Sequence, residues 1–202
     1  MSSPPTRPVL RARYERRRAE VVAAAARTFA QRGYHGTSID DLIAATGLTR
    51  GGLYHYMDGK EALLIAVLDE LMDPLLARTR AILDGPATPE DHLRALTRAW
   101  LEHIATHRDH MVVFNQERRT LERDPAWKHI RAARRDFERL LGGVLQRGVE
   151  AGAFRTTDPQ LTLLALLGMA NYTAQWYAPR GRLSAEQIAD RYVDLLLDGI
   201  RA

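Results

Sequence analysis

TSIDDLIAATGLTRGGLYHYMDGKEAL, residues 37 to 63, reads as two short helices joined by a tight turn. Ser38 is placed to cap the first helix, and Asp41, three residues on, completes a capping-box pattern. Ile39, Leu42 and Ile43 supply an apolar stripe at spacings of three and four. Gly47 then stops the helix, because a glycine accepts the left-handed conformation that closes a last turn. Thr49 caps a second helix in which Arg50, Tyr54, His55 and Tyr56 surround an apolar Leu53. That mixture of donors and flat rings suits a phosphate-lined major groove, so the pair is expected to be a helix-turn-helix whose second member reads DNA. Gly51 and Gly52 each cost about 1 kcal/mol in a helix relative to alanine, and their missing side chains would let the backbone come close to the duplex.

With the preceding run AAAARTFAQRGYHG, residues 23 to 36, this stretch resembles the DNA-binding domain of the tetracycline-repressor (TetR) family of bacterial one-component regulators. The resemblance covers the first third of the chain and lies in an ordered string. An alanine-rich helix ends in Phe, followed by Gly-Tyr, Gly-Thr-Ser, the turn glycine, Leu-Tyr-His-Tyr, and a Lys-Glu pair opening a long helix. Family members often carry a small polar residue where this chain has Gly52, so one base or phosphate contact is missing. The expected DNA residues are Thr37, Thr49, Arg50, Gly51, Gly52, Tyr54, His55, Tyr56 and Lys60. The hydroxyls of Thr37 and Tyr56 are assigned to phosphate, Arg50 and His55 to bases, and Lys60 to a phosphate beside the fourth helix.

Composition agrees with that reading. The chain has 202 residues and a net charge of +4. Residues 1 to 60 hold ten Arg or Lys against five Asp or Glu, so the positive charge is concentrated at the helix-turn-helix end. No apolar run approaches the roughly 20 residues of a membrane helix, the basic N-terminus lacks the apolar core of a secretory signal, and no membrane partner is expected. The absence of cysteine removes disulfides, thiolate metal sites and cysteine nucleophiles. A cytoplasmic location is expected. The serines are tail residues or helix caps, and no nucleophile elbow, phosphate-binding glycine loop or HExxH occurs, so the chain is not read as an enzyme and no cofactor is expected. A non-specific architectural DNA binder would leave the long C-terminal part without a purpose.

The expected fold is all-α. Residues 1–13 form a disordered basic arm whose Arg7, Arg11 and Arg13 could enter a minor groove. Residues 14–60 form a three-helix DNA-binding domain, and residues 61–202 a helical bundle for effector binding and dimerisation. The first helix is placed near 15–32, with Phe29 packing on Leu42 and Leu53 and Arg16 to Arg18 near phosphate. A fourth helix from Lys60 carries Leu63, Leu64, Val67, Leu68, Leu71 and Met72 and contains Pro74, a possible kink. It runs from the DNA into the second domain, and in the resemblance its movement transmits effector binding. Further helices are expected from Thr88, over 108–121, from Asp124-Pro125 to near Gly152, from Asp158 to about 178, and from Ser184 to about 201.

The last two helices are apolar over a broad arc, through Leu161, Leu164, Leu167 and Gly168 and through Ile188, Tyr192, Leu195, Leu196 and Ile200. Such a helix needs partners on more than one side. In the resemblance these helices join two subunits as a four-helix bundle, so that two heads meet successive major grooves of a palindromic operator. The C-terminal text, with FNQERRTL at 114–121, looks like the TetR subgroup that represses fatty-acid, branched-acyl and sterol-ring catabolism and responds to acyl-CoA thioesters. The resemblance thereby implies a repressor released by a small molecule. Trp100, Phe114, Phe137, Met169 and Trp176 are candidates for the acyl wall, and Arg118, Arg119 and Arg180 for the anionic end. Asn171, Tyr172 and Gln175 are polar groups on an otherwise apolar helix that a ligand could satisfy. A regulator sensing a metal or a hydrophobic drug-like ligand is the alternative. His103, His107 and His110 would align on one unbroken helix, but Thr106 to Asp109 reads as a junction that spoils the geometry, and no metal ligand is assigned.

Overall fold

The computed structural model describes residues 7–117, 127–155 and 158–200, which form helices with no strand among them. In chain order these are α1 (Pro8–Arg32), α2 (Ile39–Thr46), α3 (Arg50–Tyr56), α4 (Lys60–Leu83) and α5 (Pro89–Thr106). They are followed by α6 (Arg108–Gln116), α7 (Lys128–Glu150), α8 (Pro159–Trp176) and α9 (Ala185–Ile200).

Local chemistry sets most helix ends. The Ser38–Asp41 capping box is formed in both directions, with the Asp41 amide donating to Ser38 Oγ at 3.1 Å and the Ser38 amide to Asp41 Oδ2 at 2.9 Å. Gly47 closes α2 at φ 66°. Thr49 Oγ1 accepts from the Gly52 amide at 3.1 Å, Thr88 caps α5, Asp158 caps α8, and a Ser184–Gln187 box opens α9. His107, at φ −112°, separates α5 from α6 at the expected junction.

Two boundaries differ from the sequence reading. α1 starts at Pro8, so residues 8–13 are helical where an arm was expected; residues 1–6 lie outside the described part. Proline at a first helical position is already set at the right φ, and an Arg11–Glu15 pair at 2.8 Å supports the following turn. α6 ends at Gln116; Arg118, Arg119, Leu121 and the Asp124-Pro125 start expected for α7 lie outside the described residues. α4 runs through Pro74 as one helix.

One apolar core extends through the whole molecule. Phe29, Leu42, Leu53 and Met57 of the N-terminal part join Leu63, Leu64 and Leu68 of α4, which continue to Trp100, Phe137, Leu166 and Val193. α4 therefore belongs to the cores of both halves. α1 packs on α2, α4 and α6, while α9 lies along α5. There Arg98 makes two bonds to Asp190, at 2.6 and 2.8 Å, and its guanidinium holds the Asp190 carboxyl below the usual carboxylate range. Arg94 reaches Asp194 at 2.9 Å.

Candidate DNA-reading head and effector cavity

The reading helix α3 is held from beneath by buried Leu53 and at its C-terminal end by Tyr14 of α1. The Tyr14 ring lies 5.1 Å from Tyr56 and 5.7 Å, edge-on, from His55. Tyr54 and His55 are left exposed on the outer face beside Arg50 and Gly51. A Cβ on Gly51 would meet open space, as close approach to a ligand requires, but one on Gly52 would come within 3.3 Å of Thr49 Oγ1 and 3.5 Å of Leu48. Gly52 thus makes room for the cap beneath it, and its missing side chain faces inward.

Besides Thr49, whose hydroxyl caps α3, three more of the expected DNA residues make polar side-chain bonds within the protein. Thr37 is 2 % exposed, and its hydroxyl donates to Gly33 O at 2.8 Å, so it secures the α1–α2 turn and is not available to a phosphate. Lys60 is half-buried, and its ammonium donates to Tyr34 O at 3.0 Å and Thr37 O at 2.9 Å while lying 4.4 Å from the Tyr34 ring centre. The residue assigned to phosphate is therefore a clamp joining the start of α4 to the α1–α2 turn. Arg50 pairs with Asp40 of α2 at 2.6 Å on the surface, an exchangeable contact that orients the guanidinium without burying it. Arg32 likewise bonds Asp41, which, with the Ser38 bonds as the larger cause, keeps the Asp41 carboxyl below its ordinary range.

The candidate effector side chains sort by helix face. A narrow, largely apolar cavity of about 30 Å³ lies among α4, α5, α6, α7 and α8. Of the candidate effector residues, Trp100, Phe114, Phe137 and Asn171 line it, and the Trp100 and Phe137 rings meet edge-on at 4.9 Å. Met169, Tyr172, Gln175 and Trp176 do not. Leu167 and Asn171, four residues apart, turn one face of α8 inward, and Tyr172 and Trp176 occupy another that is 67 % and 50 % exposed. That outer face also carries Leu161 and Leu164 at 62 % and 54 %, and Leu195 on α9 is 66 % exposed. Arg180 is on the surface and does not line the cavity.

The cavity also has lining residues that were not anticipated: Leu71, Met72 and Leu75 of α4, His103 of α5, and the Arg134–Glu138 pair of α7, joined at 2.7 Å. An Arg and a Glu four residues apart on a helix with an apolar stripe were the available signal for the last two. His103 Nε2 donates to Leu71 O at 2.8 Å; burial first, and then neighbouring His107, push its pKa down to about 4. The His103 and His107 rings stack at 4.1 Å, and His107 meets His110 at 5.4 Å. His103 thus spends one ring nitrogen on the α4 backbone, beside Pro74.

Comparison with known proteins bears on both sites. Residues 21–67 match the family model described as bacterial regulatory proteins, tetR family, and residues 86–200 match the tetracyclin repressor-like C-terminal domain. The HTH-type transcriptional repressor KstR2 of Mycobacterium tuberculosis is 32 % identical over 185 residues, covering 91 % of this chain and 92 % of that protein. Its structure, described as a ketosteroid transcriptional regulator, superposes with a TM-score of 0.86 over 92 % of this chain and 95 % of that one. PfmR of Thermus thermophilus, a TetR family transcriptional regulator, gives 0.79 at 32 % identity, covering 88 % of this chain and 97 % of that one. AibR, in complex with isovaleryl coenzyme A and operator DNA, gives 0.78 at 30 % identity over 89 % and 97 %.

Proposed function

The chain belongs to the TetR family of DNA-binding transcriptional regulators, and from that premise we propose that it represses a palindromic operator as a homodimer and is released by an acyl-CoA thioester. The observation that carries the release mechanism is the double role of α4. Leu71, Met72 and Leu75 form one wall of the cavity, and Lys60, at the start of the same helix, is bonded to the α1–α2 turn of the reading head. About 30 Å³ holds no more than a water or two, so a ligand must push the walls apart. α4 is the wall whose displacement reaches the DNA. A second link runs from α6 to α1, where Gln116 Nε2 donates to Ala30 O at 3.4 Å.

The thioester is favoured by an apolar cavity lined by Trp100, Phe114 and Phe137 and by the likeness to AibR, whose complex holds isovaleryl coenzyme A. Within that lining, Arg134 supplies the cation for an anionic part of the ligand, and Asn171 a polar contact. The exposed apolar face of α8 and α9 supports pairing with a second copy through these helices, which spaces two heads for successive grooves. Residues 14–60 then act as the reading head, extended by the helical residues 8–13, and 61–202 as the effector and dimerisation part. No helix among the described residues is long and apolar enough to cross a membrane, and work on DNA favours a cytoplasmic location.

The test is a gel-shift assay on the DNA upstream of the protein's own reading frame, at fixed salt, with a panel of acyl-CoA thioesters. Specific binding relieved by one thioester supports the whole proposal. Binding indifferent to every thioester overturns the ligand and turns attention to hydrophobic drug-like compounds, which the same cavity would accept.

A further inference from the structure

α1 begins at Pro8, whereas the matched family model begins at residue 21, so three and a half turns of helix, about 20 Å long, precede the matched domain. This extension is strongly basic. Arg7, Arg11, Arg13, Arg16, Arg17 and Arg18 face only Glu15 and Glu20 in the same stretch. Arg11 is paired with Glu15, and Arg17 with Glu20 at 2.6 Å, Arg17 also donating to Thr46 O at 3.3 Å. Arg13 and Arg16 are exposed, and no ion pair engages either one among the described residues.

Between this extension and the end of α3 lies an open groove of about 570 Å³, lined by Leu10, Arg13, Tyr14, Arg16, Arg17, Glu20, His55 and Tyr56. Tyr14 forms its floor: the ring is 8 % exposed and packed on His55 and Tyr56, so the groove keeps a set position relative to the reading helix. One wall therefore carries two unpaired guanidiniums, and the other is the C-terminal end of the helix that meets base edges. The geometry points to a site for the phosphate backbone of the operator strand flanking the bases that α3 reads, with Arg13 and Arg16 as its contacts. Charge complementarity and continuity with α3 select this occupant. A major groove occupied by α3 is bordered by phosphates on both sides, and a guanidinium fork matches a phosphate's oxygens. The extension is thus a helical strap that adds affinity without adding sequence preference.

This inference rests on the DNA-binding reading, and the two fail differently. The dependence of operator affinity on salt would be measured for the full-length protein and for Arg13→Ala/Arg16→Ala. Each phosphate contact contributes about 0.9 to the slope of log K against log salt, so losing two per subunit makes a dimer's slope shallower by about 3.6. The ratio of operator to random-DNA affinity stays unchanged, and Arg13→Lys/Arg16→Lys keeps a slope near that of the wild type. A remote control, Arg139→Ala, leaves the slope as it was. A slope equal to wild type in a double alanine variant with intact circular dichroism overturns the strap, and so does an altered operator preference at unchanged slope. A wild-type protein that shifts no operator would instead overturn the regulator reading itself.

Discussion

Replacing Lys60 by Met separates two roles for one cation, a contact to DNA phosphate and a clamp within the protein. The ammonium donates to Tyr34 O and Thr37 O and lies over the Tyr34 ring. Bonds from a charged donor contribute about 1.5–3 kcal/mol, and a partly exposed cation–π contact about 0.5–1 kcal/mol. The site is only half-buried, so water can reach the freed carbonyls, and the net expected loss is about 2–3 kcal/mol. For a chain of this size that lowers Tm by roughly 4–12 °C. Operator affinity also falls, because the α1–α2 turn is released from α4 and the reading helix loses its fixed setting. The salt slope of the remaining binding stays at the wild-type value. Thermal unfolding followed by circular dichroism, together with operator titrations at several salt concentrations, measures all three. A variant with unchanged Tm and a slope shallower by about 1.8 for the dimer would show Lys60 neutralising one phosphate per subunit, and would refute the clamp.

Other perturbations test other parts of the argument. A Cβ at position 148 would come within 2.0 Å of the buried Phe154 ring, which folds back over the end of α7, so Gly148→Ala is expected to cost about 1–3 kcal/mol; an unchanged urea midpoint would contradict this. His103 is a base whose pKa is lowered from 6.5 to about 4 by burial, so the unfolded chain takes up its proton first and stability falls as pH drops through that window. His103→Gln should flatten this acid limb in Tm measured against pH, and a limb of unchanged steepness would remove His103 as its source. Leu164→Glu with Tyr172→Glu places charge on the exposed face of α8 and should yield a monomer by sedimentation that no longer binds the operator cooperatively. A dimer mass in that variant would move the interface elsewhere.

The helix-turn-helix and its ends were legible in the sequence because their signals act over three or four residues. The Ser38–Asp41 box, the left-handed Gly47 and the Thr49 cap each join groups that are neighbours in the chain, and the structure has all three. Apolar periodicity likewise marked the long helices and much of the core, from Phe29 and Leu42 to Leu71 and Met72. The broad apolar arc of α8 announced that it needed more than one partner, but periodicity does not say which residues turn to which side. Only packing against α5, α6 and α7 sends Asn171 into the cavity and leaves Tyr172 and Trp176 outside. The inner contacts of Lys60 were hidden for the same reason: its acceptors lie 23 and 26 residues away, and no local pattern records them. The cavity takes side chains from five helices, and the groove beside α3 exists only because Tyr14 meets His55 and Tyr56 across some forty residues of chain. Local sequence determined which helices form and that two of them make a helix-turn-helix. The tertiary structure decided which cations are spent inside the protein and which are left exposed, because a charge's availability depends on neighbours that only folding brings near.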